Sequence, residues 1–264
     1  MRWVRCIAAS MVLVAALGSS TRCTLAKADQ LGAEQTLDLD GSDRAPDPRG
    51  HEPARFLLFA TTDLWRHGGF AHGGVLWSPF GLDREGPVLK LMFGSGIYHY
   101  ISGALGNIDV RGEQLTAGIL PGWRFIRNGF IVTVFAGYDF QSHRLFPDDP
   151  TAGLRGHYSG LRAGFELWHE PSTTTMFAAD ASISTIGWGY SARIAAGWRL
   201  FDLFYLGPDI SAFATGDNYQ QFRAGLHITG LRTGRFEWSA GLGFAGDSDH
   251  RAGAYGKLGL ITRR

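Results

Sequence analysis

Neither of the chain's two cysteines, Cys6 and Cys23, lies beyond residue 28. The remainder has no thiol, which excludes a disulfide framework, a cysteine-ligated metal and a cysteine nucleophile from it. A run of about 18 continuous apolar residues is also missing after the N-terminus, so no helix is expected to span a bilayer. Charge of one sign is lacking too: Lys and Arg number 25 against 24 Asp and Glu. Residues 1–28 hold Arg2, Arg5, Arg22 and Lys27 and no acid, so without them the balance is 21 against 24. Such weak acidity excludes nucleic acid as the expected partner.

What is present is glycine, at 37 residues, and aromatics, at 13%. Hydrophobic residues make up 45% of the chain, yet the mean hydropathy is −0.05. Alternating apolar and polar residues cancel in this way along half-buried strands.

The N-terminus reads as a cleaved signal peptide, residues 1–28. Arg2 and Arg5 open it, Ile7 to Leu17 is apolar, and Ala26-Lys27-Ala28 gives a small-x-small cleavage site. Thr21 and Arg22 before Cys23 fit a lipid-attachment site poorly. Residues 29–54 are acidic, poor in aromatics and broken by Pro46, Pro48 and Pro53, which predicts a solvated, disordered leader.

From residue 55 to 264 the chain reads as one domain of about twelve strand-like segments. Phe130, Val132, Val134, Ala136, Tyr138 and Phe140 alternate with Thr133, Gly137, Asp139 and Gln141. Leu161, Ala163, Phe165 and Leu167 oppose Arg162, Gly164 and Glu166; Tyr190, Ala192, Ile194, Ala196 and Trp198 oppose Ser191, Arg193, Gly197 and Arg199. One face is apolar and the other carries charge or glycine, the pattern of an all-β, antiparallel, up-and-down transmembrane barrel. A membrane-crossing sheet must close, because lipid cannot satisfy the backbone of an open edge.

Turns and tryptophans supply the sidedness. Asn128-Gly129 predicts a two-residue hairpin on an even-numbered connection, and the longest connections fall on odd ones. Trp77, Trp123, Trp168, Trp198 and Trp238 all come near the even-turn ends of strands, which predicts one interfacial aromatic girdle in outer-membrane lipid. The lumen face is expected to hold Lys90, Arg124, Asp139, Arg162, Glu166, Arg193, Arg199, Arg223, Glu237 and Lys257. Mixed signs suit ion-paired filling at least as well as a selective pore.

The segment Gly73-Gly74-Val75-Leu76-Trp77-Ser78-Pro79, followed by Gly81-Leu82-Asp83-Arg84-Glu85-Gly86 and Leu89-Lys90-Leu91, resembles the BcsS family of cellulose biosynthesis proteins. The likeness continues more loosely through Gly137-Tyr138-Asp139-Phe140 and Gly197-Trp198-Arg199. It implies a non-enzymatic outer-membrane barrel of a Gram-negative bacterium acting with cellulose synthesis or export, and it brings no catalytic residues with it. The partners implied are periplasmic components of the cellulose synthase complex, and cellulose itself. A departure is the end, Gly259-Leu260-Ile261-Thr262-Arg263-Arg264, where barrels commonly finish on an aromatic residue. The turn Gly81, Leu82, Asp83, Arg84, Glu85 and Gly86 is a candidate periplasmic docking element, against the plainer reading of a solvated turn.

Other functions have thinner support. A general small-solute porin is one alternative. A second is a lipid esterase in which His157 deprotonates Ser159, two residues away on the same strand face; no acid or amide sits where it would orient the histidine, since Glu166 falls on the opposite face. Metal sites and cofactors are not expected: His67 with His72, and His143 with His157, lack ligand spacing. Tyr98, Tyr100 and Tyr219 are candidates for stacking on a glucan strand.

Overall fold

The structure, a computed structural model, describes residues 53–214 and 219–264. The signal-peptide reading and the leader up to residue 52 lie outside the described residues. The twelve strands are β1 (Phe56–Trp65), β2 (Gly68–Trp77), β3 (Gly86–Ser102), β4 (Ile108–Arg127), β5 (Phe130–Phe146), β6 (Gly156–Ser172), β7 (Thr175–Ser184), β8 (Tyr190–Leu200), β9 (Phe204–Ala214), β10 (Gln220–Thr233), β11 (Phe236–Asp247) and β12 (Ala252–Arg263).

Each strand pairs antiparallel with its sequence neighbours, and β12 returns to β1 in a register running from Leu57↔Arg263 to Trp65↔Tyr255. The last strand therefore closes the barrel against the first. Closure leaves no sheet edge, which is what allows strands to lie in lipid.

Alternation drives the burial. In β3, Val88, Lys90, Met92, Tyr98 and Tyr100 are buried while Leu91, Phe93, Ile97 and Ile101 are exposed. Outward leucines, isoleucines and phenylalanines form the apolar band expected of a lipid-facing surface.

The even-numbered connections, 128–129, 173–174, 201–203 and 234–235, are tight, and only 78–85 is longer. This is the turn end. The odd-numbered connections, the longest being 147–155, make the loop end. Asn128 and Gly129 both take positive φ, 42° and 77°, as a two-residue hairpin matched to strand twist requires. β3 to β6 run 17 to 20 residues and the other strands 10 to 14, so one wall rises higher at the loop end.

Candidate functional site

Among the described residues the inward side chains fill the barrel in layers. At the loop end lies an aromatic seal: Trp65, Phe70, Tyr98, Tyr100, Phe213, Tyr219 and Tyr255, with Val110 and Leu145. Tyr98, Tyr100 and Tyr219 are at most 1% exposed, so they offer no open stacking surface to a glucan. Glycine makes room for two of the rings. Phe70 stands opposite Gly96 and Tyr98 opposite Gly112, and a Cβ there would come within 2.0 and 2.1 Å of ring carbons.

Connection 147–155 folds onto this seal. Asp149 has no solvent exposure and accepts hydrogen bonds from the Tyr100 hydroxyl at 3.1 Å, the Thr151 hydroxyl at 2.7 Å and the Thr151 amide at 3.0 Å. Burial works against its ionised form, but these donors, with the Ser102 hydroxyl, outweigh it and hold the carboxyl below its ordinary range.

The middle of the lumen is polar and paired. Lys90 donates to Glu166 at 2.6 Å and lies 4.6 Å from the Phe135 ring centre. Arg162 and Ser184 both donate to Asp139 at 2.6 Å. Arg223 pairs with Asp63, and Arg193 and Lys257 converge on Asp209. Internal cavities beside Lys257 and beside Lys90 measure about 20 and 10 Å³, room for no more than a water. Of the lumen charges named from sequence, Lys90, Arg124, Asp139, Arg162, Glu166, Arg193, Arg223 and Glu237 are buried, while Arg199 and Lys257 are half-buried. Where opposite signs meet, at Lys90–Glu166, Arg162–Asp139, Arg223–Asp63 and Arg193 and Lys257 on Asp209, the pairing offsets part of the cost of burying these charges.

At the turn end, Leu57, Phe59, Leu76, Val88, Leu120 and Ile261 form an apolar floor beneath β1 to β4. Leu82 belongs to this floor at 2% exposure. The 78–85 connection therefore folds back over the barrel: the Ser78 hydroxyl donates to the Gly81 carbonyl, and the Leu82 amide donates to the Ala54 carbonyl. Gly81, Leu82 and Gly86 are buried, which removes them from any docking surface; Asp83, Arg84 and Glu85 are exposed. An ion pair joins Glu85 to Arg127 at 3.5 Å. Sequence reasoning missed Phe80, 57% exposed beside these charges.

The tryptophan girdle needs one correction. Trp77, Trp123 and Trp198 face outward at 38%, 44% and 57% exposure, and Trp238 shares that outer face with its indole N–H donating to Thr233 at 2.7 Å. Trp168 instead points into the barrel, 1% exposed, where it donates to Glu170 and meets Tyr205 edge-on. Leu167 and His169 take the outward positions, and the strand period carried this signal: Leu161, Ala163, Phe165 and Leu167 put 168 on the other face. Towards the loop end the outer surface carries Tyr138, Trp188, Tyr190, Phe222 and Phe244, a second aromatic belt.

His157 and Ser159 are both exposed on β6, but the Ser159 hydroxyl bonds the Tyr138 hydroxyl at 2.6 Å and His157 stacks on Phe140. Among the described residues the two make no mutual hydrogen bond, and Glu166 lies inside on Lys90. The chemistry of a base-activated nucleophile is not assembled. Nor is any group of three or more metal-ligating side chains found among the described residues.

An outer membrane channel from Pseudomonas putida F1 shares 9% identity with this chain at a TM-score of 0.52, covering 83% of this chain and 100% of the other, which shows a common barrel fold. The translocator domain of the autotransporter NalP from Neisseria meningitidis aligns at 14% identity, a TM-score of 0.47 and coverage of 90% and 96%. A KdgM porin aligns at 7% identity and a TM-score of 0.46, over 78% and 98%. Curated proteins give no significant match. The sequence profile for the cellulose biosynthesis protein BcsS matches residues 57–264, from the first strand through the last. The chain belongs to the BcsS family of cellulose biosynthesis proteins.

Proposed function

We propose that this barrel is a non-enzymatic accessory of cellulose production, located in the outer membrane of a Gram-negative bacterium, that works by holding periplasmic components of the cellulose synthase complex rather than by conducting cellulose. The supporting observation is the lumen. An aromatic seal, a paired polar middle and an apolar floor succeed one another, whereas a conduit for a neutral glucan needs a continuous passage lined with stacking and hydrogen-bonding groups. Tight turns in such barrels face the periplasm, so the exposed Phe80, Asp83, Arg84 and Glu85 face the compartment of the partner.

Deletion is expected to lower extracellular cellulose while synthase levels persist, and the purified barrel is expected to be silent in planar bilayers. Unchanged cellulose overturns the accessory role; steady conductance overturns the closed lumen.

A further inference from the structure

The lipid-facing wall carries a groove where β1 and β2 pair. Their outward residues stand opposite one another as Phe56↔Trp77, Leu58↔Val75, Ala60↔Gly73 and Thr62↔Ala71, so side-chain size falls from the turn end towards mid-height. The flanking strands keep large outward groups at the same height: Leu258 and Leu260 of β12 pair with Thr62 and Ala60, and Phe93 of β3 pairs with Gly73. Two spaces result, one above the other on the same strand pair. The upper, about 520 Å³, is floored by Ala60, Thr62, Ala71 and Gly73 and walled by Phe93 and the β12 leucines. The lower, about 480 Å³, lies over Leu58 and Val75 and ends at Trp77 and Arg264. A closed cavity of about 150 Å³ takes a benzene-sized molecule, so these spaces are of the size of a hydrocarbon chain.

Their depth matches one leaflet. From Phe56 to Thr62 the strand advances about 20 Å, which at a tilt of about 40° is about 15 Å along the membrane normal. Half of an apolar band about 25 Å tall is about 12 Å.

The foot of the groove is cationic. Alternation from Leu258, Leu260 and Thr262 puts Arg264 on the outer face beside Phe56, and its main chain is fixed there: its amide donates to the Phe56 carbonyl at 2.9 Å, and its oxygen accepts from the Phe56 amide at 2.8 Å and the Arg55 amide at 2.9 Å. Arg55 and Arg264 are both exposed. Next to Trp77, at the girdle that marks the lipid interface, a guanidinium meets the height of phosphates, whose oxygens its planar fork can bind in pairs.

We infer that this groove seats one anionic glycerophospholipid from the leaflet at the turn end, its acyl chains on the floor of Ala60 and Gly73 and its phosphate on Arg264. A chain lying between Phe93 and the β12 leucines gains contacts on three sides, where a chain on an unhollowed wall gains them on one. A second copy of the protein suits the place poorly, because a symmetric pair would set the arginines of both copies at one height in one interface. The groove also straddles β1 and β12, the pair that closes the barrel, so a lipid bound only to the folded state stabilises that closure by mass action.

Native mass spectrometry of the full-length protein, stripped of lipid in detergent and titrated with phosphatidylglycerol, tests the seat. One molecule is expected to bind saturably, several-fold more tightly than phosphatidylethanolamine, and to raise the unfolding temperature. Ala60→Phe, which fills the floor, should weaken phosphatidylglycerol binding about tenfold, whereas Ala163→Phe, on the outer face of β6, should leave it nearly unchanged. Arg264→Gln should remove the preference between the two headgroups. The two groove variants act at opposite ends, so either one that folds, as judged by heat-modifiable migration in gels, reads the site. Binding without saturation, equal affinity for the two headgroups in the unaltered protein, equal effects of Ala60→Phe and Ala163→Phe, tighter retention of lipid A than of phosphatidylglycerol, or a dimer that excludes lipid each overturns the inference. Cellulose output plays no part in this test, so its result is separate from that of the proposed function.

Discussion

Arg162 and Asp139 meet at 2.6 Å inside the barrel, each side chain 1% exposed, and the Ser184 hydroxyl donates to the same carboxylate oxygen. The two sit on neighbouring strands, β6 and β5, and Gln141 adds a third donor at 3.1 Å. Asp139→Ala leaves a guanidinium buried with its main counter-ion gone, a change that typically costs about 3 to 5 kcal/mol. Replacing both partners by apolar residues of similar volume is expected to cost far less, because no charge is then stranded. Urea unfolding of the detergent-solubilised barrel checks both; equal losses in the single and double replacements would sink the argument.

The Leu82 contact separates a structural turn residue from its exposed neighbours. Leu82→Ala removes a side chain packed into the floor and is expected to cost about 2 to 5 kcal/mol. Neutralising Asp83, Arg84 and Glu85 together is expected to change stability by less than about 1 kcal/mol, since an exposed pair such as Glu85 and Arg127 contributes little. The triple substitution should nonetheless lower cellulose output if the connection is a docking element. Intact output with an intact barrel would reduce it to a turn.

Much of this was legible in the sequence, because a barrel writes its faces into period two. The strand segments, the Asn128-Gly129 hairpin and the inward faces of Lys90, Asp139 and Arg162 follow from alternation and turn chemistry. What alternation does not carry is whether inward groups meet. Tyr98 and Tyr100 have the same period whether they line a passage or pack into a seal, and the Asp149 contact that closes the seal comes from a loop 49 residues away. Leu82 was hidden for the same reason: its burial depends on the Ala54 carbonyl, a contact outside its own turn. Trp168 is legible in parity alone: its height along β6 matches the girdle, but it alternates with outward Leu167 and His169 and so falls on the inner face.

Lipid contact distinguishes the tryptophans directly. In variants retaining one tryptophan each, brominated acyl chains should quench Trp123 and Trp198 strongly and leave Trp168 nearly unquenched, since short-range quenching needs the ring at the lipid face. Quenching of Trp168 equal to that of Trp198 would place it outside the barrel.

Asp149 gives the loop end a pH dependence whose sign follows from its hydrogen bonds. Its carboxyl titrates below the ordinary value when folded, so its contribution is fully present above the unfolded pKa of about 3.9 and is lost as pH falls through the lower folded value. Hydrogen exchange in residues 147–155, corrected for intrinsic rates, should stay slow at pH 5 to 7 and accelerate only below about pH 4. Asp149→Ala should show fast exchange throughout, with faster trypsin cleavage at Arg155 at neutral pH. Unchanged exchange in that variant would mean that Tyr100 and Thr151 do not anchor the loop through it.

The seal also depends on the absence of side chains opposite its rings. Tyr98 lies over Gly112, its direct cross-strand partner, and a methyl group at 112 would occupy the place of the ring's Cζ, 2.1 Å away. The ring cannot swing clear without displacing other buried aromatics, because Tyr98 is 1% exposed within the cluster. Gly112→Ala is therefore expected to cost about 1 to 3 kcal/mol by overpacking. If the clash is the cause, Gly112→Ala made in a Tyr98→Ala background should be nearly neutral, a coupling that a double-mutant cycle reads directly. A backbone cause predicts the opposite: Gly112 is absent from the positive-φ glycines, so alanine fits its strand conformation, and an undiminished cost without Tyr98 would show that this glycine serves the sheet rather than the seal.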